Sequence, residues 1–283
     1  MSTLASFSQH LASLIESVAH TEFPERLIAT LKTLVPIDDA TIMYYPQEGL
    51  PVIEHYEVPA ESEDSSLLQF VQGAFLVDPF YLAAVKERRF GLFQLRELAP
   101  EGFRDSDYYK NYYRNCAYED ECGYLIRTGP ASFVNISLGK NRPRARFGKR
   151  EMEVLREVFP PLEVLCQQHW APLEDKPEPN GTSLRQQMGQ ALEGFGTSLL
   201  TERETQVINL VLHGHSTKTV AEKLNISMET VKLHRKHAYA KLEVGSQAEL
   251  FYLFLDSLMS AQDYVGGDTL VEYMRPPGEQ RLS

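Results

Sequence analysis

Residues 199–258 read LLTERETQVINLVLHGHSTKTVAEKLNISMETVKLHRKHAYAKLEVGSQAELFYLFLDSL. The stretch predicts four short helices. Thr201 with Glu204 forms a capping box, in which the hydroxyl takes the amide of the third residue and the carboxylate returns to the cap amide. Val207, Leu210 and Val211 follow at helical spacing, and Gly214 closes that helix. Ser216 caps a second helix that buries Val220, Ala221 and Leu224. Asn225-Ile226 makes a turn and Ser227 caps a third helix. Ser246 with Glu249 opens the fourth. Several agreeing start signals in one short region are stronger evidence than any one alone.

The third helix carries four cations and no carboxylate between Thr230 and Leu242, in a chain of net charge -11. Such a helix implies an anion opposite it. Val231, Ala238 and Leu242 lie on one side, while Lys232, Lys236 and Ala240 lie on another. The connection between the second and third helices fits a helix-turn-helix. Its outward face can enter the major groove of double-stranded DNA. Lys232, Leu233 and Lys236 are therefore the candidate base readers: lysine donates to guanine N7 and O6, and leucine touches a thymine methyl. Lys218, Thr230, His234, Arg235 and Lys241 are candidate phosphate contacts, which set register without reading sequence.

Here the segment resembles the C-terminal helix-turn-helix of LuxR-type transcriptional regulators. The matching residues are Leu200-Thr201-Glu202-Arg203-Glu204, Val207, Leu210, Gly214, Ala221, Leu224, Ser227, Thr230-Val231-Lys232, His234, Lys241-Leu242 and Gln247-Ala248. Thr217 departs from the family, which usually has Asn before Lys218. The resemblance implies an all-α four-helix domain that binds dyad operators as a homodimer, with RNA polymerase a candidate partner. It places the dimer seam on the fourth helix, at Leu250, Phe251, Phe254 and Leu255.

Charge divides along the chain. Residues 1–198 carry 19 Lys/Arg against 28 Asp/Glu, and residues 199–256 carry 7 of each. An acidic body joined to a neutral module with a basic helix suits a regulator whose larger part stays off the phosphates. No leader or membrane span is expected, which implies the cytoplasm. Three cysteines without CxxC spacing imply neither a disulfide framework nor a zinc site. No cofactor is called for.

The organisation reads as a sensor domain over 1–170, a linker over 171–198, the DNA-binding domain over 199–260 and a flexible tail over 261–283. Apolar periodicity predicts helices within 3–34, a hairpin from Ala40–Tyr45 and Val52–Val58, and helices over Leu67–Val77 and Phe80–Glu87. Gly91–Leu95, Glu121–Arg127 and Ala131–Leu138 read as strands. Asp105–Asn115 and Lys149–Gln168 read as helices, the latter kinked or broken at Pro160 and Pro161. Arg185–Leu192 adds a short helix. The order favours an α+β domain with an antiparallel sheet flanked by helices, similar to GAF-like and PAS-like folds and to autoinducer-binding domains. A receiver domain is excluded because the acidic pair Asp38-Asp39 precedes its strand, and no phosphate-binding GxxxxGK[ST] loop exists.

Asp78-Pro79 follows a helix as the Asp-Pro pair does in autoinducer binders, where the Asp accepts from a ligand amide. The Trp expected about a dozen residues earlier in that family is absent. Asp78, Tyr81, Phe93, Tyr44 and Tyr112 are the candidate ligand residues, because clustered tyrosines give apolar walls with polar tips. The competing reading of these aromatics is core packing, and of Asp78 a helix cap. An enzyme would need a nucleophile and base, such as Cys116 or Cys122 with His55 or His169, and no spacing supports one. The reading is a small-molecule-responsive transcriptional regulator and not an enzyme. An acyl-homoserine-lactone receptor and a regulator controlled by protein contact are the alternatives.

Overall fold

The computed structural model describes residues 3–47, 50–57, 70–71, 73–106, 108–116, 118–171, 190–260 and 266–274. The chain divides into two compact units. The first comprises Met1–Asp64, Pro79–Ala99 and Cys116–Gly181, and the second Ser65–Asp78, Pro100–Asn115 and Thr182–Ser283. Two segments of the expected sensor half thus belong spatially with the C-terminal helices. Of the expected linker, 172–189 lie outside the described residues, as do parts of the expected helices over 67–77 and 185–192.

The first unit starts with α1 (Thr3–Glu16) and α2 (Phe23–Lys32). Phe23, Leu27, Ile28 and Leu31 are buried at helical spacing, and Pro24 begins α2 where no amide is needed. Leu14 is buried on α1, whereas the neighbouring Ile15 is 53% exposed. The strands are β1 (Asp39–Tyr45), β2 (Val52–Tyr56), β3 (Gly91–Gln94), β4 (Asp120–Arg127) and β5 (Phe133–Lys140). They form one antiparallel sheet in the order β2-β1-β5-β4-β3. The β4–β5 turn is tied by Thr128 N–H to the Ser132 carbonyl and by Thr128 Oγ1 to Ser132 Oγ. Every residue of β5 is buried, so both faces of the central sheet are covered and the strand shows no in–out alternation.

One face is apolar. Ile42, Tyr44, Tyr124, Ile136 and Leu138 pack under α1, α2 and α5 (Lys149–Trp170). The expected break in α5 does not occur: the helix runs through Pro160 and Pro161. Both prolines, and Arg156 and Glu157 whose carbonyls they leave without amide donors, lie on its exposed side, where water can serve those carbonyls. The buried side, with Leu155, Leu162, Cys166 and Trp170, is uninterrupted. The other face carries α3 (Pro79–Val85), and a short α4 (Leu95–Leu98) follows β3. Among the described residues no helix is long and apolar enough to cross a membrane.

The second unit holds α6 (Glu202–Leu212), α7 (Thr217–Leu224), α8 (Met228–Lys241), α9 (Gln247–Ser260) and α10 (Thr269–Tyr273). It also holds a 3-10 turn, Ala74–Val77, and a π turn, Tyr108–Tyr112, that runs into a 3-10 turn, Tyr113–Cys116. These stand where longer α-helices were expected. The tail expected to fray is ordered over 266–274. Leu270 and Thr269 are buried, and Asp268 accepts from the Gly196 and Ser198 amides at 2.8 Å each. Positive φ at Gly266 and Gly267 turns the chain back so that this contact forms. A short helix without apolar periodicity gave no local signal, and its stability is tertiary.

Gly139 on β5 sits beneath the Tyr118 ring and the Asp39 carboxylate, which occupy the space a Cβ would need. Gly139→Ala is expected to destabilise the first unit by about 1–3 kcal/mol, read as a lower urea midpoint with unchanged slope.

Candidate nucleic-acid interface and ligand face

The start signals read from the sequence are present as hydrogen bonds. Thr201 N–H donates to Glu204 Oε2 at 2.8 Å, and Glu204 N–H to Thr201 Oγ1 at 3.4 Å. Ser216 Oγ accepts from the Thr219 amide, Ser227 Oγ from Thr230 and Ser246 Oγ from Glu249. Asn225 ends α7 in the left-handed conformation, φ 53 and ψ 49, which Asn tolerates better than most residues. The turn sets α8 against α6 and α7.

On α8, Val231, Ala238 and Leu242 are buried and fix the helix about its axis. Lys232, Leu233 and Lys236 consequently face outward, with Leu233 51% exposed. Lys232 Nζ is held by Glu229 at 2.8 Å. Glu229, which the sequence reading passed over, therefore belongs to the outward surface. Its signal was an i, i+3 acid–base pair in the first turn. His234 and Arg235 are half-buried, and the Arg235 guanidinium lies 5.9 Å from the Tyr239 ring centroid. Thr230 Oγ1 is paired with Ser227 Oγ at 2.8 Å. Lys218 is exposed at the start of α7, 3.9 Å from Glu101.

Two expectations meet partners that lie far off in the chain. Lys241, its side chain 40% exposed, donates its Nζ to Glu204 Oε2 at 2.6 Å, tying the end of α8 to the start of α6. Desolvation works to raise the Glu204 pKa, but the hydrogen bonds with Lys241 and Thr201 and the Lys241 charge outweigh it and hold the group at about 2. The proposed seam residues Leu250, Phe251, Phe254 and Leu255 are all buried within the single chain. Phe195 meets Phe254 edge-on at 5.5 Å, Tyr108 meets Phe251 at 6.3 Å, and α10 packs along the helix. The expectation counted only residues 199–260 as cover, and three outside elements supply the rest.

The candidate ligand residues do not converge on one cavity. Tyr44 belongs to the apolar face, with its ring near-parallel to Trp170 at 6.5 Å. Tyr81 lies on the opposite face, 5.5 Å from Tyr45, which stacks on Phe133 at 4.4 Å. Phe93 pairs with Gly123 on that same second face, beneath the Arg89 guanidinium. Asp78, in the second unit, accepts from the buried Tyr108 hydroxyl at 2.7 Å. The Tyr112 side chain lies outside what the structure describes.

The second face of the sheet also buries Asn135 and Ser137, which the sequence reading missed. Asn135 Nδ2 donates to Ser137 Oγ at 3.2 Å, while Asn135 Oδ1 is buried without a donor among the described residues. A hypothetical Cβ on Gly123 would come within 3.0 Å of Phe80 and 3.1 Å of Asn135 Oδ1. Polar residues at alternate positions of FVNISLGK were the available signal. Cys122 and Cys166 are buried, and desolvation raises both thiol pKa values well above the usual range, so neither is an activated nucleophile.

Comparison with known proteins adds four findings. Residues 198–254 match the family described as "Bacterial regulatory proteins, luxR family". The chain is 35% identical over 189 residues to an Aeromonas salmonicida protein designated an HTH-type transcriptional regulator in the exeN 3' region, covering 65% of this chain and 96% of that one. It is 21% identical over 240 residues to the monoamine regulon transcriptional regulator of Klebsiella aerogenes, covering 85% and 93%. Among solved structures, the VqsR LBD domain from Pseudomonas aeruginosa aligns with a TM-score of 0.50 at 25% identity, covering 57% of this chain and 94% of that one.

Glu204, with its pKa at about 2 against 4.5 in an open chain, stabilises the fold fully above pH 4.5, and this contribution is lost as pH falls toward 2. Glu204→Gln is expected to flatten that acid limb of the stability curve. Lys241→Ala should lower stability by about 1–3 kcal/mol in urea titrations while leaving the salt dependence of DNA binding unchanged. A shallower salt slope in this variant would restore the phosphate role.

Proposed function

Because the chain belongs to the luxR family of bacterial regulatory proteins, whose members regulate transcription through a C-terminal helix-turn-helix, we propose that α8 reads operator DNA under control of a small molecule. The observation that carries this reading is the orientation of α8. Three buried residues turn Lys232, Leu233 and Lys236 outward together, with Lys218 exposed at the start of the neighbouring helix. Lysine at the middle of a groove-entering helix donates to guanine N7 and O6. Glu229 restrains Lys232 and can itself accept from a cytosine amino group. Lys218, His234 and Arg235 serve as phosphate contacts.

The likeness of the first unit to a domain titled an LBD supports an effector site there. Its place is the second face of the sheet, where Tyr81, Phe93, Asn135 and Ser137 combine apolar walls with buried polar groups, one of them still open to a donor. The effector acts by binding the DNA-competent and DNA-incompetent states unequally; equal binding would regulate nothing. A twofold dimer fits dyad operators, and Tyr252, 49% exposed on α9, is available to a second copy where its buried neighbours are not. The relatives are regulators, and the site chemistry is that of a binder in the cytoplasm rather than of a catalyst.

Selection from a random-sequence duplex pool tests the reading directly. Lys232→Ala and Lys236→Ala should each relax the preferred base at one position, a loss of about 1–3 kcal/mol of discrimination. Lys218→Ala should weaken all duplexes alike and lower the salt slope by about one. Uniform weakening in all three variants would overturn the assignment of α8 as the reading helix.

A further inference from the structure

The segment Pro100–Asn115 belongs to the same compact unit as the helix-turn-helix, and its contacts there are specific. Ser216, the cap of α7, donates its backbone N–H to the Glu101 carbonyl at 3.1 Å. Gly102, at φ +85, lies so close that an added Cβ would stand 2.8 Å from Ser216 Cβ. Gly214 in the α6–α7 turn faces Phe103 and Ser106, and a Cβ there would stand 3.3 Å from Ser106 Cβ. Glu101 Oε1 is 3.9 Å from Lys218 Nζ. Further along, Tyr108 packs edge-on against Phe251 of α9 and donates its hydroxyl to Asp78.

We propose that residues 101–106, with Tyr108, form a strap that competes with DNA for the surface at the start of α7, so that the strapped chain is the weak DNA binder. The inference rests on the DNA-binding reading above. In a helix-turn-helix, the helix preceding the reading helix crosses the sugar–phosphate backbone. On this chain that helix presents Lys218 and the Ser216 amide. The strap meets both, with a carbonyl on the amide and a carboxylate near the ammonium. Glu101 thus holds the two groups that a phosphate would use. A phosphate brought to the same place would face that carboxylate at short range, and two anions cannot share one lysine without repulsion. DNA docking through α8 therefore requires Glu101 and Gly102 to withdraw.

The strap also explains why two glycines stand at this contact. Gly102 and Gly214 both have positive φ and both lack the Cβ that would push the two backbones apart. Tyr108 anchors the far end of the strap, because its hydroxyl donates to the Asp78 carboxylate.

The experiment measures binding of the full chain to a fluorescent random-sequence duplex pool at several salt concentrations. Gly102→Val leaves the helix-turn-helix intact and pushes the strap off Ser216. If the strap covers the surface in about nine molecules of ten, this variant should bind about tenfold more tightly, with a salt slope steeper by about one phosphate contact and faster hydrogen exchange at the Ser216 amide. Unchanged affinity with accelerated Ser216 exchange would overturn the proposal. Should Gly102→Val fail to fold, Glu101→Gln decides: without the carboxylate beside Lys218 this variant should bind the pool more tightly, and unchanged affinity overturns the strap. Wild-type binding that neither variant alters sinks the strap alone, whereas failure of every form, wild type included, to bind duplex DNA sinks the regulator reading with it.

Discussion

Glu204 is the group on which the geometry of the DNA-facing unit depends. Its carboxylate is only 5% exposed, yet it stays ionised because Lys241 Nζ and the Thr201 amide both donate to it. A buried carboxylate without such partners costs several kcal/mol or gives up its charge. The capping box at the start of α6 and the last turn of α8 are therefore held to each other by one charge. With that end anchored and Val231 and Ala238 buried along its length, α8 has one rotation about its axis. Lys232 and Lys236 face outward as a consequence of what lies on the other side of the helix.

The sheet of the first unit separates two kinds of surface by strand alternation alone. Ile42, Tyr44, Tyr124 and Ile136 face α1, α2 and α5 and form a dry core. Their neighbours along the same strands, among them Tyr45, Phe133, Asn135 and Ser137, face the other way and mix rings with buried polar groups. The first face needs only volume and apolarity. The second keeps a buried oxygen with no donor among the described residues, which a purely structural core would tend to eliminate.

The aromatic run from Phe103 to Tyr113 shows how much a chain position can mislead. By sequence it belongs to the sensor half. By packing it joins Gly214, Ser216 and Phe251 in the unit of the DNA-facing helices. This is also why α9 needs no second copy to cover Leu250 and Phe254. A domain drawn from residues 199–260 alone leaves them uncovered because Phe195, Tyr108 and Leu270 come from outside that interval.

The sequence by itself determined the elements whose causes are local. Each cap of α6, α7, α8 and α9 is a side chain reaching no more than three residues along, and the five strands follow from apolar runs bounded by turns. The outward set Lys232, Leu233 and Lys236 followed from helical spacing, and the family from the density of those signals. Tertiary structure alone decided the matters that depend on partners distant in the chain. It gave Glu204 its counter-ion in Lys241, parted Tyr44 from Tyr81 across the sheet, tied the tail down through Asp268, and let α5 run through two prolines whose freed carbonyls lie on its exposed side. Local signals carry the hydrogen bonds of a turn. Which side of a helix or sheet meets which neighbour is set by long-range burial, and no short window of sequence contains it.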